Sequence, residues 1–419
     1  MKNKLLLFYL AAVMLSNLSF AQLSKELSDV KYRRSSLATI LMESENFPQK
    51  ETVLNAYYNA EFPDKYNDHN VDEKSFKPED YVITDEERVI AETEKSDKDT
   101  DDSLLIDKYF KDKKIANQIV AKWFNREEDG SFDMNLISER GQYDASALKA
   151  DEAKTSARGS ALLSDAGEEL IDKTFVVVSK LKYVSNEIIA SGIYAIALTQ
   201  TAKIQNALAR KIAEIAAAAV YKKTSEGYSV WTTSSLYKLK WNDSIQAVFY
   251  NDYWMDKSHI DVSKKIAFDN SNIFELEFIG SEKSSSLVTF SLKEKRTEEQ
   301  IIALSTTRNV DAVFAKLQKK HDVFKPKVPL LTGNPITAKI GMKEGLEAGD
   351  KFEVLEQTLD PDTGRTKYVR KGTIKVDKKL LWDNRFNAIE GSDKKEASEY
   401  TTFKGGKDFY PGMLIRQIK

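Results

Sequence analysis

Between Thr174 and Trp254 the chain reads TFVVV (174–178), then an alanine-rich segment that includes KIAEIAAAAV (211–220), then two Tyr/Trp-rich runs, GYSVWTTSSLYKLKW (227–241) and SIQAVFYNDYW (244–254). Their periods predict strand, helix, strand, strand. No other stretch sets a helix and three strands with apolar faces in a row without a long polar gap, so the core is expected here. Within the helix, Ile204, Leu208, Ile212, Ile215 and Ala219 fall on one stripe, and Lys203, Asn206, Arg210 and Glu214 line the opposite side. Such a helix packs one face, and the expectation is that it lies on the sheet; a partner-binding or coiled-coil helix is the alternative. A membrane span is excluded, because Lys203, Arg210, Lys211 and Glu214 interrupt the run well short of the roughly 20 apolar residues a bilayer requires.

The N-terminus indicates a compartment. Lys2 and Lys4 precede an apolar centre, Leu5 to Leu15, and Ser19-Phe20-Ala21 supplies small residues before Gln22. That is the layout of a secretory signal peptide cleaved between Ala21 and Gln22. The chain has no cysteine, hence no lipid-attachment cysteine, disulfide or thiolate metal site. An exported chain of this size without disulfides suits the bacterial envelope, periplasmic or associated with the outer membrane. Lysine plus arginine number 63 against 65 aspartate plus glutamate, which gives no general argument for nucleic acid or an anionic membrane. The charge is uneven, with 16 acidic and 6 basic residues from Glu61 to Asp102 but 15 acidic and 22 basic from Val313 to Lys419.

In chain order, the extended piece Leu37 to Met42 is followed by a helix near Pro48 that carries Val53, Leu54 and Tyr57 inward. Phe62 to His69 reads as a loop, and Ser96 to Asp102 as a polar loop or linker. Ile115, Ile119, Trp123 and Phe124 form an apolar helix face; Leu162, Leu163, Leu170 and Ile171 belong to another. Ile273 to Ile279 and Leu287 to Leu292 read as further strands. Thr297-Glu298-Glu299-Gln300 is a capping box opening a helix that falters at Thr306-Thr307. From Pro326, proline-punctuated alternating runs predict a small β domain, with strands at Ile336–Ile340, Phe352–Gln357, Tyr368–Val376 and Met413–Ile418 and a turn at Asp360–Gly364. The basic run Lys367, Arg370, Lys371, Lys375, Lys378 and Lys379 reads as a half-solvated edge strand. The fold class is therefore α+β: a signal peptide (1–21), a mainly helical N-terminal region (22–165), a mixed α/β middle domain with the long amphipathic helix on a sheet (166–325), and a small β-barrel-like module (326–419).

Trp123-Phe124-Asn125-Arg126, Arg158 through Leu170, Trp241-Asn242-Asp243, Phe249 through Trp254 and Ile340 through Val354 together resemble a group of exported Bacteroidota proteins. That resemblance covers most of the mature chain and implies a compartment and an architecture, but no activity. Gly345 through Val354 is similar to the C-terminal β modules of envelope-assembly proteins such as the flagellar assembly protein of the T ring. Neither resemblance carries a catalytic residue onto this chain.

Catalytic patterns are scarce. His69, His259 and His321 are dispersed, with no His-Glu-x-x-His helix, no Gly-x-Ser-x-Gly elbow and no phosphate loop around Gly405-Gly406-Lys407. Ser-x-x-Lys at Ser28/Lys31, Ser146/Lys149 and Ser392/Lys395 lacks the accompanying motifs. Asn125-x-Glu127-x-Asp129-Gly130 and Asp97-x-Asp99-x-Asp101 imitate calcium loops but have Leu136 and Lys108 where the closing glutamate belongs. No cofactor is implied. Trp231, Trp241, Tyr250, Tyr253 and Trp254 are the binding candidates, since tryptophan and tyrosine dominate partner and glycan contacts; filling the core is the competing use. The expected role is a non-enzymatic envelope scaffold or assembly partner, binding another protein or its own copies, with no nucleic acid, no spanning helix in the mature chain and peripheral membrane association open. The rivals are a glycan or peptidoglycan hydrolase working through a carboxylate pair and a ligand- or glycan-binding module using the aromatic cluster.

Overall fold

The computed structural model describes residues 34–93, 100–144, 170–225, 228–288, 297–359, 366–386, 399–406 and 408–418. The Ala21–Gln22 junction, the Ser-x-x-Lys pairs, Leu162, Leu163 and the Asp360–Gly364 turn lie outside them. The fold is α+β, with a mixed sheet and a closed six-stranded antiparallel barrel.

In the sheet, β1 (Ser36–Met42) pairs in parallel with β2 (Asn67–Asp68), β3 (Ser75–Phe76) and β4 (Thr174–Ser185). From β4 onward the pairing turns antiparallel, to β5 (Tyr228–Leu239) and then β6 (Leu276–Val288). The central strands are apolar on both faces because both faces are covered. Phe175, Val177, Leu37 and Leu41 enter one core, and Val176, Val178, Ala38 and Ile40 enter the other.

On the first face lie α1 (Lys50–Tyr58) and the long α10 (Glu298–Lys320), which buries Ile302, Val310, Val313 and Leu317. Five helices supply the second lobe: α2 (Asp85–Thr93), α3 (Thr100–Asp112), α4 (Ile115–Trp123), α5 (Asn135–Asp144) and, after the sheet turns, the short α8 (Asp243–Val248), with α9 (Val262–Asn270) beside them. Ile115, Ile119, Trp123 and Phe124 are all buried there, as their spacing predicts.

After α10, strands β7 (Val328–Gly333), β8 (Ile336–Ala338), β9 (Lys351–Leu359), β10 (Thr366–Val376), β11 (Thr401–Gly405) and β12 (Leu414–Gln417) close a barrel in the order β10-β11-β8-β7-β12-β9. Val328, Leu330, Phe352, Val354, Ile374 and Phe403 fill it.

Several expectations change. The alanine-rich helix is α7 (Ala207–Ser225), which buries none of its residues; with α6 (Asn186–Thr201) it forms a helical hairpin between β4 and β5. The register Ser185↔Tyr228 sends this hairpin off the end of the sheet, and α10 takes the sheet face instead. Residues 244–254 are not a strand. The Asn242 side chain accepts the Ile245 N–H at 3.0 Å and caps α8, and a π-helical turn, Phe249–Tyr253, follows. The described part of the two expected runs, up to Val288, forms one continuous strand, β6 (Leu276–Val288); residues 289–292 lie outside the described residues. The capping box at Thr297 and Gln300 is present, but α10 runs on through Thr306, whose hydroxyl donates to the Ile302 carbonyl at 2.8 Å. The basic run is an edge only in part: Lys367, Arg370 and Lys371 lie where β10 pairs with β9 alone, Lys375 lies where it pairs with β11 as well, and Lys378 and Lys379 follow the strand.

Candidate interaction surface

The end of the sheet from which the hairpin leaves is built by local rules. β4 stops at Ser185, whose hydroxyl accepts the Glu187 N–H at 3.3 Å and opens α6. The Asn186 side-chain oxygen accepts the Ser229 hydroxyl at 2.7 Å, tying the root of α6 to β5. Beyond the root the two helices pack on each other, with a Tyr194–Tyr221 ring contact at 5.1 Å between them. The aliphatic side chains point away from that seam. Leu208 is 73% exposed, Ile188 70% and Ile196 65%, and Ile193, Ile212, Ile215 and Val220 are all more than half exposed.

Next to the root, Trp231 on β5 is 45% exposed. It stands directly across from Lys182 of β4 and Ser285 of β6, both exposed, on a part of the sheet face that the helical lobe does not cover. Of the five aromatic candidates, Trp231 is the one on this surface. The other four are far along the chain's path into the helical lobe. Trp241 is buried; Tyr250, Tyr253 and Trp254 are half-buried around Phe124, Phe132, Phe249, Phe268 and Phe274. The Tyr253 hydroxyl is hydrogen-bonded to Ser271 at 3.0 Å. Because the π-helical turn replaces the expected strand, Tyr253 and Trp254 both face inward.

Three polar clusters lie away from this surface, and none is arranged for a reaction. The first is an open groove of about 520 Å³ lined by Asp80, Tyr81, Val82, Lys108, Lys111, Asp112 and Lys113. Its ammonium groups outnumber its carboxylates; Tyr81 already donates to Asp112 at 3.0 Å, and burial with Asp112 alongside pushes that phenol up to about 12. The second is the buried Arg140, which donates to the Ser36 hydroxyl (2.9 Å), His69 Nδ1 (2.8 Å) and the Asp68 carbonyl (3.1 Å) and lies 4.4 Å over the Trp123 ring. His69 Nε2 in turn meets the Ile119 carbonyl at 2.9 Å, and burial, then Arg140, holds the imidazole well below its usual range. Every polar atom in that knot is occupied by the fold. The third is Asp311 on α10, whose carboxyl burial pushes up to about 6 against the pull of Lys343. It faces the packed junction with the barrel.

Metal binding finds no support among the described residues, where no group of three histidines or carboxylates could hold an ion. In the calcium-like loop, Asp129 Oδ1 accepts the Ser131 N–H (2.9 Å) and hydroxyl (2.6 Å), and Asn125 donates to Asp133 at 2.9 Å. Glu127 is turned outward instead, to Lys257 at 3.2 Å. No helix among the described residues is long and apolar enough to cross a membrane. No protein-family model matches the chain, and no curated protein matches it either.

Proposed function

We propose that this chain is a non-enzymatic exported envelope protein that works by docking, as a scaffold or assembly partner, with the α6–α7 hairpin and the Trp231 end of the sheet as its contact face. The observation that carries this reading is the hairpin itself: seven aliphatic side chains left more than half exposed on one projection. Contiguous exposed apolar surface of this kind marks an interaction site, whereas single exposed aliphatics elsewhere on a protein do not. The fold has sheet faces that would bury such helices, and it fills them with others. Export through the Lys2–Ala21 leader belongs to the same proposal, and a mature N-terminus at Gln22 is its direct check.

Site-specific photocrosslinking in native envelopes tests the contact face. With a benzophenone side chain at Ile196, Ile212 or Trp231, covalent adducts are expected, and none at the exposed barrel residue Lys378. If all four positions stay adduct-free and the purified protein cleaves muropeptides, the docking reading fails and a hydrolase takes its place.

A further inference from the structure

We infer that the occupant of this face is an anionic lipid surface, on which the hairpin lies without crossing it; the inference rests on the docking reading above and names its partner. Three observations favour lipid over a second polypeptide. The first is direction. At about 100° per residue, the exposed Ile188, Ile193, Ile196 and Leu198 of α6 spread over an arc of about 220°. A helix seated on one protein partner confines its apolar side chains to a narrower stripe, and a helix apolar over most of its circumference belongs in a core or in lipid. From Ile188 to Ala202 the segment carries no charge at all.

The second observation is charge. Between Asn186 and Ser225 there are five cations (Lys203, Arg210, Lys211, Lys222, Lys223) against two anions (Glu187, Glu214), in a chain whose net charge is -2. Two copies would set one basic, apolar hairpin against another. Anionic headgroups complement it instead. By helical spacing, Lys211 and Lys222 fall on one side of the Leu208–Ile212–Ile215 stripe and Lys223 on the other, where their stems can rest on the apolar surface while the ammonium groups reach phosphates.

The third is the anchor beside the root. An indole at the boundary between an apolar and a wet region is favoured at a membrane interface, and Trp231, with Lys182 across the strand, stands at such a boundary. Length then decides between lying and spanning. The 16 residues of α6 reach about 24 Å, short of the roughly 30 Å hydrocarbon core, and α7 carries Arg210, Lys211 and Glu214 within its first half.

The test is flotation of the full mature chain with vesicles of phosphatidylcholine alone or with about a quarter phosphatidylglycerol. Co-flotation is expected with the anionic vesicles and not with the neutral ones, and it should fall as NaCl rises from about 0.1 to about 0.5 M. The double variant I196E/I212E should lose at least about tenfold in partitioning. K211E/K222E/K223E, whose substitutions touch no packed residue, should lose binding to anionic vesicles while keeping the wild-type melting curve. A folded wild-type chain that stays at the bottom of the gradient, or an I196E/I212E variant that floats equally well, overturns the inference. If the wild type ignores lipid but forms a dimer that I196E/I212E dissociates, the lipid partner is wrong and the docking reading stands. A chain that is monomeric, lipid-free and adduct-free at Ile196 and Ile212 removes both.

Discussion

Asp311 and His69 respond to acid in opposite directions, and each gives a measurable effect. The folded state raises Asp311 to about 6 from the ordinary 3.8, mainly by burial, and its Oδ2 has no hydrogen-bond partner. A carboxyl raised in the fold prefers its proton there, so its ionisation costs stability as pH climbs from about 4 to about 6; above that the cost is at most about 3 kcal/mol. Asp311→Asn is therefore expected to stabilise the protein by about 1–3 kcal/mol at pH 7.5 and to change little at pH 4, as read by urea unfolding at the two pH values. His69 works the other way. Its imidazole is held neutral by burial and by Arg140, so the stability it contributes is present above about pH 6.5 and is lost as pH falls below that. Arg140→Met leaves the Ser36, His69 and Asp68 acceptors unpaired and should cost about 2–4 kcal/mol at pH 7.5. Because it also removes the cation that depresses His69, the variant's further loss between pH 6.5 and pH 5 should be smaller than the wild type's.

Among the elements, the hairpin is the separable one. Ser185 and Tyr228 are already paired across β4 and β5, so excising residues 187–226 and closing the strands with an Asn-Gly turn removes no residue of either sheet core. The shortened chain is expected to lose only the far-ultraviolet helical signal of α6 and α7 and to melt within a few degrees of the full one; a large drop in melting temperature would mean that the hairpin supports the sheet after all. Its period was plain in the sequence, yet its destination was not, because a 3.6-residue pattern shows that a face is apolar and says nothing of what covers it. The helix that does cover the sheet announces itself by its capping box at Thr297 and Gln300, but its apolar stripe is interrupted. α10 turns Thr306 and Asn309 inward; the Thr306 hydroxyl is satisfied within the helix, and the Asn309 amide donates to the Val230 carbonyl (3.0 Å) and the Thr232 hydroxyl (2.7 Å), so two polar residues with buried partners break the apolar stripe. The central strands were legible from their unbroken aliphatic runs. Residues 244–254 were not, since dense aromatics suit a strand and a π-helical turn equally, and the decisive signal, Asn242 as a cap, is a single side chain. The proposed contact face is half legible: Trp231 stands among the aromatic candidates, while the hairpin's period reads as a helix packed on the sheet.

At the scale of the whole molecule, the barrel and the α+β core each have their own apolar filling, and a seam of charged and close-packed contacts joins them. Lys65 lies 3.5 Å from Glu344 with both side chains nearly buried, Lys343 reaches Glu61 at 3.6 Å, and Lys319 reaches Glu347 at 3.3 Å. Gly345, at φ 77°, lets the connection between β8 and β9 come so near α10 that an added Cβ would sit 2.9 Å from that of Ala315. Burial by itself would lower the Lys65 pKa, but Glu344 and Asp64 outweigh it and hold the ammonium charged. Glu344 also accepts the Gly341 N–H (2.7 Å) and the Asn384 amide (3.0 Å), so it is fixed in place whether or not the lysine is there. Lys65→Met would leave that carboxylate buried without its cation, at a cost of about 2–4 kcal/mol. Neutralising it as well, in the double variant with Glu344→Gln, should recover about half of the loss, the coupling expected of groups in direct contact. Since the pair spans the seam, the single variant is also expected to split one calorimetric transition into two, the barrel and the core melting apart. Equal losses in the single and double variants, with one transition in both, would show that the seam is held by packing around Gly345 and that the ion pair is incidental to it.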